Sequence, residues 1–451
     1  MTDVRMSAMA VILVLVAAMV LSPCANAQTS DGDVVTLDEA ISLARSNNRD
    51  LKQSGLEIGK QREALSEAKT QFYPRLDSSV LAAQLLTPLN FTINAGQFGT
   101  FPGTGPIPAN NVDLHTAARP VALVSVTATQ PLTQLLRIHL FVAEQRLKVD
   151  STQLSFDQDE QKLVDDVRRA YYAVLQAQSQ LESQQSMLKY LEELQQLTDR
   201  RFNQQAVLEA DRLRVQAELA KTKYQLAVIQ DALADRRESL NHLLGRDLQT
   251  AFSVETVPST LPEEEDLPAA RKVALERRSE LKLATNRATQ ASLETKIEKT
   301  RYIPDVAIQA SYTNPVNINF LPQNIGLVGV LLTWQPWDWG QKRHNVAQKV
   351  FAEEQAALSV DDTRDQILLD VNSNFRQLRE VRAQLAAAEA ARDAEREKLR
   401  NQQEAYSQQS ILLSDLLRQQ ASVADAEDQY RQALLGYWRA RADFQRALGE
   451  Q

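Results

Sequence analysis

The sequence predicts a mainly α-helical chain with a small strand portion, built from one unit written twice. Two stretches, 138–204 and 343–408, contain neither glycine nor proline. Segments of the first half recur in the second, at an offset of 230 before the strand pair and of about 204 after it. Four strand-like segments, two per half, lie beside prolines and turn-forming residues. The composition agrees: 451 residues with only 13 Gly, 6% aromatics and one Cys suit long helices. A net charge of −8 argues against nucleic acid as a partner, since phosphate binding calls for a basic stripe. A mean hydropathy of −0.35 excludes a bundle of membrane-spanning helices, but not a membrane β-barrel, whose sequence signal is far weaker.

Residues 1–27 read as an export signal. Arg5 gives the positive start, Ala8 to Leu21 the apolar stretch, and Ala25-Asn26-Ala27 the small-x-small cleavage site. Cleavage there removes Cys24, the one cysteine. An alternative reading makes Cys24 a lipid anchor, because Leu21-Ser22-Pro23-Cys24 resembles a lipobox, although proline before the cysteine departs from that pattern. The remaining chain divides into repeat one (28–245), a linker (246–265) and repeat two (266–449). At an offset of 230, Lys69-Thr70-Gln71-Phe72-Tyr73-Pro74 aligns with Lys299-Thr300-Arg301-Tyr302-Ile303-Pro304. At an offset of 204, Phe202, Leu208, Asp211 and Leu213 align with Tyr406, Leu412, Asp415 and Leu417.

Each repeat opens with a helix, about 36–70 in the first, whose Asp38 and Glu39 lie in the turn the helix dipole favours for acids. Pro74 disfavours helix at Tyr73 and ends it. A strand follows from Arg75 to about Leu89. Asn90 to His115, dense in Gly and Pro, reads as a long surface loop, and a second strand runs from Val121 to Thr129. In repeat two the strands are Val306–Tyr312 and Leu327–Trp334, and the segment joining them is 25 residues shorter. The apolar/polar alternation is imperfect in all four. Each hairpin leads into a breaker-free helix with coiled-coil-like spacing, such as Leu147 and Leu154, or Leu378, Val381 and Leu385. Ala383 to Ala394 supplies small residues for close helix approach. Further helices, about 210–244 and 414–448, close on the C-cap candidates Gly245 and Gly449. The run Glu263-Glu264-Glu265-Asp266 reads as a solvated loop and helix N-terminus. Isolated two-stranded hairpins are marginal in water, and membrane sheets must close. The hairpins therefore join those of other copies or pack on something else.

Taken together, the order of elements and the motifs Thr36-Leu37-Asp38-Glu39-Ala40, Phe72-Tyr73-Pro74-Arg75-Leu76, Gln335-Pro336-Trp337-Asp338-Trp339-Gly340 and Arg201-Phe202 with Asp211 resemble the TolC-like bacterial outer-membrane efflux proteins. The resemblance covers nearly the whole chain after the signal. It implies a homotrimer with a 12-stranded barrel, four strands per protomer, in outer-membrane lipid. Its helices would form a periplasmic tunnel docked by a periplasmic adaptor (a membrane fusion protein) to an inner-membrane transporter. The function implied is a passive exit duct in efflux or type I secretion, with no cofactor and no enzymatic activity. The alternative of another class is a soluble periplasmic coiled-coil adaptor or scaffold.

Trp334, Trp337 and Trp339 read as an aromatic girdle at the periplasmic side of the membrane, with core packing at the barrel base as the other reading for Trp337 and Trp339. By resemblance, Tyr406, Asp211 and Asp415 match positions that hold the periplasmic entrance shut. The basic residue expected beside them is Ile411, and Arg418 stands where a second ring acid is expected. The tips carry Gln205 and Gln409 where the family usually has glycine. The alternative reading makes Asp211 and Asp415 acids of helical first turns. His139 and His344 are repeat-related and read as structural. No phosphate loop or HExxH motif occurs.

Overall fold

The computed structural model describes residues 34–449 except 117, 206, 263–265, 319–320 and 409. The export signal with Cys24, Gln409 and Glu263–Glu265 lie outside the described residues. The elements run β1 (Val34–Val35), α1 (Leu37–Asn47), α2 (Arg49–Thr70), β2 (Arg75–Gln84), β3 (Leu89–Ile93), β4 (Thr100–Phe101), β5 (Gly105–Pro106), β6 (Val112–Thr116), β7 (Pro120–Pro131), α3 (Gln134–Asn203) and α4 (Glu209–Leu243). The same helix–strand–strand–helix–helix order returns after β8 (Ser253–Val254): α5 (Leu267–Arg277), α6 (Ser279–Thr300), β9 (Asp305–Val316), β10 (Ile325–Thr333), α7 (Gln341–Ser407) and α8 (Leu413–Ala447). Among the described residues no helix is long and apolar enough to cross a membrane.

The chain divides into two compact units. One holds residues up to 48, 166–261 and 387–435; the other holds 49–165, 262–386 and the residues from 436 onward.

In the first unit, β1 pairs in parallel with β8, so the segment expected as a plain linker carries a strand. The Tyr171 hydroxyl closes this clasp, donating to the Val35 carbonyl and accepting from the Glu255 amide, both at 3.0 Å. Burial pushes the Tyr171 hydroxyl up to about 12, so it stays protonated. Thr36 and Glu39 start α1 with a reciprocal capping box. The helix expected over 36–70 is two helices, because Asn48 is extended (φ −57°, ψ 132°) and its side-chain amide donates to the Leu243 carbonyl at 3.0 Å. Gly245 has φ +67°, and a Cβ there would lie 2.5 Å from the Asn47 carbonyl oxygen, so this C-cap admits only glycine.

The second unit has the corresponding joint between α5 and α6. Asp266 caps α5 through the Ala269 amide at 3.3 Å. Arg278 donates to Glu280 (2.7 Å) and Asp370 (2.5 Å) and reaches the Ala447 carbonyl at 3.5 Å. Burial opposes the charge of Arg278, but these carboxylates outweigh it and raise the guanidinium's pKa. The same contacts outweigh burial at Glu280 and lower its pKa. Ala274, Ile367, Val371 and Phe444 form the core beside the joint.

The second unit also holds one antiparallel four-stranded sheet, ordered β10-β9-β7-β2, leaving β2 and β10 paired on one side only. The register sorts side chains that looked irregular in the sequence. Even-numbered positions share one face, with Leu76, Val80, Val124, Val126, Ile308, Val328, Val330 and Leu332. Odd-numbered positions share the other, with Asp77, Ser79, Ser125, Thr127, Gln309 and Ser311. The alternation looked imperfect because β10 is apolar on both faces and Ser78 and Asn314 sit on the apolar one.

The expected loop over Asn90–His115 is largely a second hairpin. β3 pairs with β6 and β4 with β5, while glycines with positive φ occupy the turns. Its side chains lock across the strands, with Asn90 on His115 (2.9 Å) and Thr92 on Asp113. Turn-forming residues obscured these two strands in the sequence.

Candidate functional site

Two regions carry the candidate residues, one in each unit. In the first unit, α3 and α4 form one helical hairpin, and the end of α7 with the start of α8 forms another. Leu191, Leu194, Val215 and Leu219 pack between α3 and α4, and Leu417 of α8 joins them. Gln205 adopts φ +59°, the left-handed conformation for which glycine is the usual residue, so the tip keeps that geometry at a cost of about 1 kcal/mol. Leu208 and Leu412, repeat-related, precede α4 and α8 and are 72% and 70% exposed.

Among the described residues, Tyr406 pairs with neither Asp211 nor Asp415. Its hydroxyl accepts a hydrogen bond from Nη1 of Arg201 at 3.0 Å, and the guanidinium lies 5.3 Å from its ring centroid. Arg201, from the other helical hairpin, is thus the cation at Tyr406, whereas the resemblance implied a basic residue at position 411. In the sequence Arg201 stands only within a motif; its signal there is its place beside Phe202, the repeat partner of Tyr406. Phe202 carries its own guanidinium, Arg212 at 4.6 Å. The Tyr190 hydroxyl is buried without a hydrogen-bond partner, and burial pushes its pKa up, with Tyr406 adding to the effect.

Asp211 and Asp415 both lie in first turns, of α4 and α8, where the helix dipole favours a carboxylate. Asp415 also lies 3.8 Å from Arg418, an exposed pair of small energetic weight. Among the described residues, no side chain pairs with the Asp211 carboxylate.

In the second unit the sheet's helix-bearing end gathers the aromatics. Trp334 follows β10 and is 58% exposed; Trp337 and Trp339 are 71% and 87% exposed. The latter two meet edge to face at 5.8 Å, away from any core cluster of the described residues. Tyr73 and Tyr302, missed as candidates, stand exposed at the same end, in the positions before β2 and β9. Their signal is an aromatic within two residues of each proline, Tyr73 before Pro74 and Tyr302 before Ile303-Pro304. Asp338 organises the turn into α7, accepting from the Gly340 and Lys342 amides at 3.1 and 3.0 Å. Trp339 and Gly340 there both have positive φ.

Against the polar face of the sheet lies a cavity of about 920 Å³, walled by Arg75, Asp77 and Thr129 from strands and by Arg137, Phe141 and Ile297 from helices. Its charges are paired, Arg75 with Asp77 at 2.8 Å and Arg137 with Asp305 at 2.5 Å. Among the described residues, no group of His, Cys, Asp and Glu is placed to hold a metal.

Residues 40–246 match the family model described as "Outer membrane efflux protein". No curated protein matches the chain by sequence. The fold resembles solved structures of low identity. For CusC the identity is 14% and the TM-score 0.75, covering 95% of this chain and 96% of that one. For the Campylobacter jejuni CmeC outer membrane channel they are 14% and 0.75, covering 92% and 85%. For the outer membrane protein VceC of Vibrio cholerae they are 14% and 0.73, covering 92% and 96%. The resemblance to TolC-like outer-membrane efflux proteins therefore holds, by sequence over residues 40–246 and by fold over nearly the whole chain.

Proposed function

We propose that the protein is the outer-membrane exit duct of an efflux system, a passive channel whose energy comes from a partner transporter. The observation that carries this reading is the four-stranded sheet with one apolar face and two free edges. β2 has 10 residues, the length a tilted strand needs to cross a bilayer. Val328 and Val330 on the apolar face are 82% and 70% exposed, a poor arrangement in water and a good one in hydrocarbon. Free edges are costly in a membrane, and pairing β10 of one copy with β2 of the next removes them. Three copies give the twelve strands that the family resemblance implies.

The aromatics Tyr73, Tyr302, Trp334, Trp337 and Trp339 then mark the periplasmic membrane interface. The helical tips face the periplasm, with Arg201 and Tyr406 as the latch of the entrance. Leu208 and Leu412 offer apolar contact to a periplasmic adaptor, which joins the duct to an inner-membrane transporter. The same duct serves protein secretion in the related reading.

Fractionation of a Gram-negative host expressing the full chain tests this. The expected result is recovery in the outer membrane as an oligomer. Recovery as soluble periplasmic protein overturns the channel reading and favours a coiled-coil adaptor.

A further inference from the structure

The strand order β2-β7-β9-β10 is carried into the helices attached to the sheet. α2 leads into β2 and packs on α3, which leaves β7; there the Ser54 hydroxyl donates to Asp159 at 2.5 Å. α3 packs in turn on α6, which leads into β9, with the Asn286 amide donating to the Ser151 hydroxyl at 3.5 Å. α6 packs on α7, which leaves β10, with Lys349 donating to Glu294 at 2.8 Å. The row therefore ends at α2 on one side and at α7 on the other. Both ends carry apolar side chains in the open: Leu56 on α2 is 74% exposed, and Phe351 and Leu358 on α7 are 64% and 69% exposed. Their repeat mates are covered. At the offset of 204, Phe351 and Leu358 correspond to Leu147 and Leu154 on α3, and at 230 Leu56 corresponds to Asn286 on α6; all three of these are half-buried.

We propose that Phe351 and Leu358 seat on α2 of the next copy, so that a seam of helix side chains, and not strand pairing alone, joins the copies. This deepens the channel reading and rests on its ring of copies, in which β10 of one beside β2 of the next brings α7 beside α2. The joint of α3 with α6 within the chain is the template. Its contact of Ser151 with Asn286 becomes Gln355 against Leu56 of the next copy. The two helices run antiparallel. One turn toward the sheet then sets Phe351 over Gly59, and one turn away sets Leu358 beside Leu56 and Lys52. A Cβ at Gly59 would meet nothing within 4 Å in the single chain, and glycine inside a helix weakens it. The Phe351 ring fits that opening, and the methylene stem of Lys52 covers Leu358. Asn286, polar in the joint within the chain, is replaced by Leu56 in the joint between copies, and removal of these apolar side chains from water favours the assembly.

Cysteine pairs in the full chain, oxidised in the membranes of a Gram-negative host and separated on non-reducing gels, test the seam. G59C/F351C and L56C/Q355C are expected to give covalent dimers and trimers, since a disulfide needs Cα atoms within about 7 Å. The single variants are expected to give none, and neither is K52C/F351C, whose positions stand about two helical turns apart. F351A/L358A is expected to release monomers in detergent at a lower temperature than the wild type, with its helical content unchanged, whereas F351L/L358M keeps the wild-type temperature. Absence of cross-links in both level pairs, equal cross-linking of K52C/F351C, or unchanged detergent stability in F351A/L358A overturns the seam. Conductance steps from the wild type without these cross-links leave the channel reading standing and remove the seam. Cross-linked oligomers without conductance steps remove the channel reading and leave the seam.

Discussion

Arg201 on α3 donates to the hydroxyl of Tyr406 on α7, tying together the ends of two helical hairpins that lie 205 positions apart in the chain. A charge-assisted hydrogen bond with a stacked guanidinium is worth about 1.5–3 kcal/mol when sheltered from water. If this pair latches the entrance, Tyr406→Phe and Arg201→Gln each raise single-channel conductance or opening frequency in planar bilayers. The double variant then adds little to either single change, because both remove one interaction.

Asp415 and Arg418 set opposite charges one helical turn apart near the same tip. Three copies of Asp415 around an entrance favour cations, and Arg418 offsets that field. Reversal potentials in a salt gradient are expected to show stronger cation preference in Arg418→Ala and weaker preference in Asp415→Ala. Unchanged preference in both variants assigns Asp415 to helix-dipole stabilisation alone.

Gly245 and Gly449 perform one task in the two repeats with unequal tolerance. A Cβ at Gly245 meets the Asn47 carbonyl at 2.5 Å, whereas at Gly449 the nearest atom is the Arg277 Cβ at 3.1 Å. Both glycines have positive φ, so alanine at either costs about 1–2 kcal/mol from conformation alone. Gly245→Ala is expected to cost several kcal/mol and Gly449→Ala clearly less. Thermal unfolding of the two detergent-solubilised variants checks the order.

Glu280 couples the joint between α5 and α6 to pH. Its pKa lies below the ordinary 4.5, since Arg278 outweighs the effect of burial. Its contribution to stability is therefore complete above the ordinary glutamate range and is lost as pH falls through the depressed value. Glu280→Gln is expected to lower stability at neutral pH and to flatten its decline between about pH 5 and pH 3. Unfolding midpoints across that range provide the measurement.

Much of this fold was legible because its strongest signals are local. The absence of breakers placed α3 and α7 within a few residues, and Pro74 with Pro304 placed the strand starts. What was not legible depends on partners far along the chain. Nothing local to Asn48 announces a helix break, because its amide is satisfied by Leu243 on α4. The strand faces became clear only with register, since Leu81 and Leu327 on the polar side mimic core residues. At the tips, the resemblance points to Tyr406 and the two acids, while the contact of Arg201 with Tyr406 is visible only in the fold.

Single-channel recording of the purified full chain in a planar lipid bilayer tests the central claim most directly. The account predicts discrete conductance steps from inserted oligomers, with steps enlarged by Tyr406→Phe. Protein that stays soluble, or that inserts without any conductance step, would contradict it.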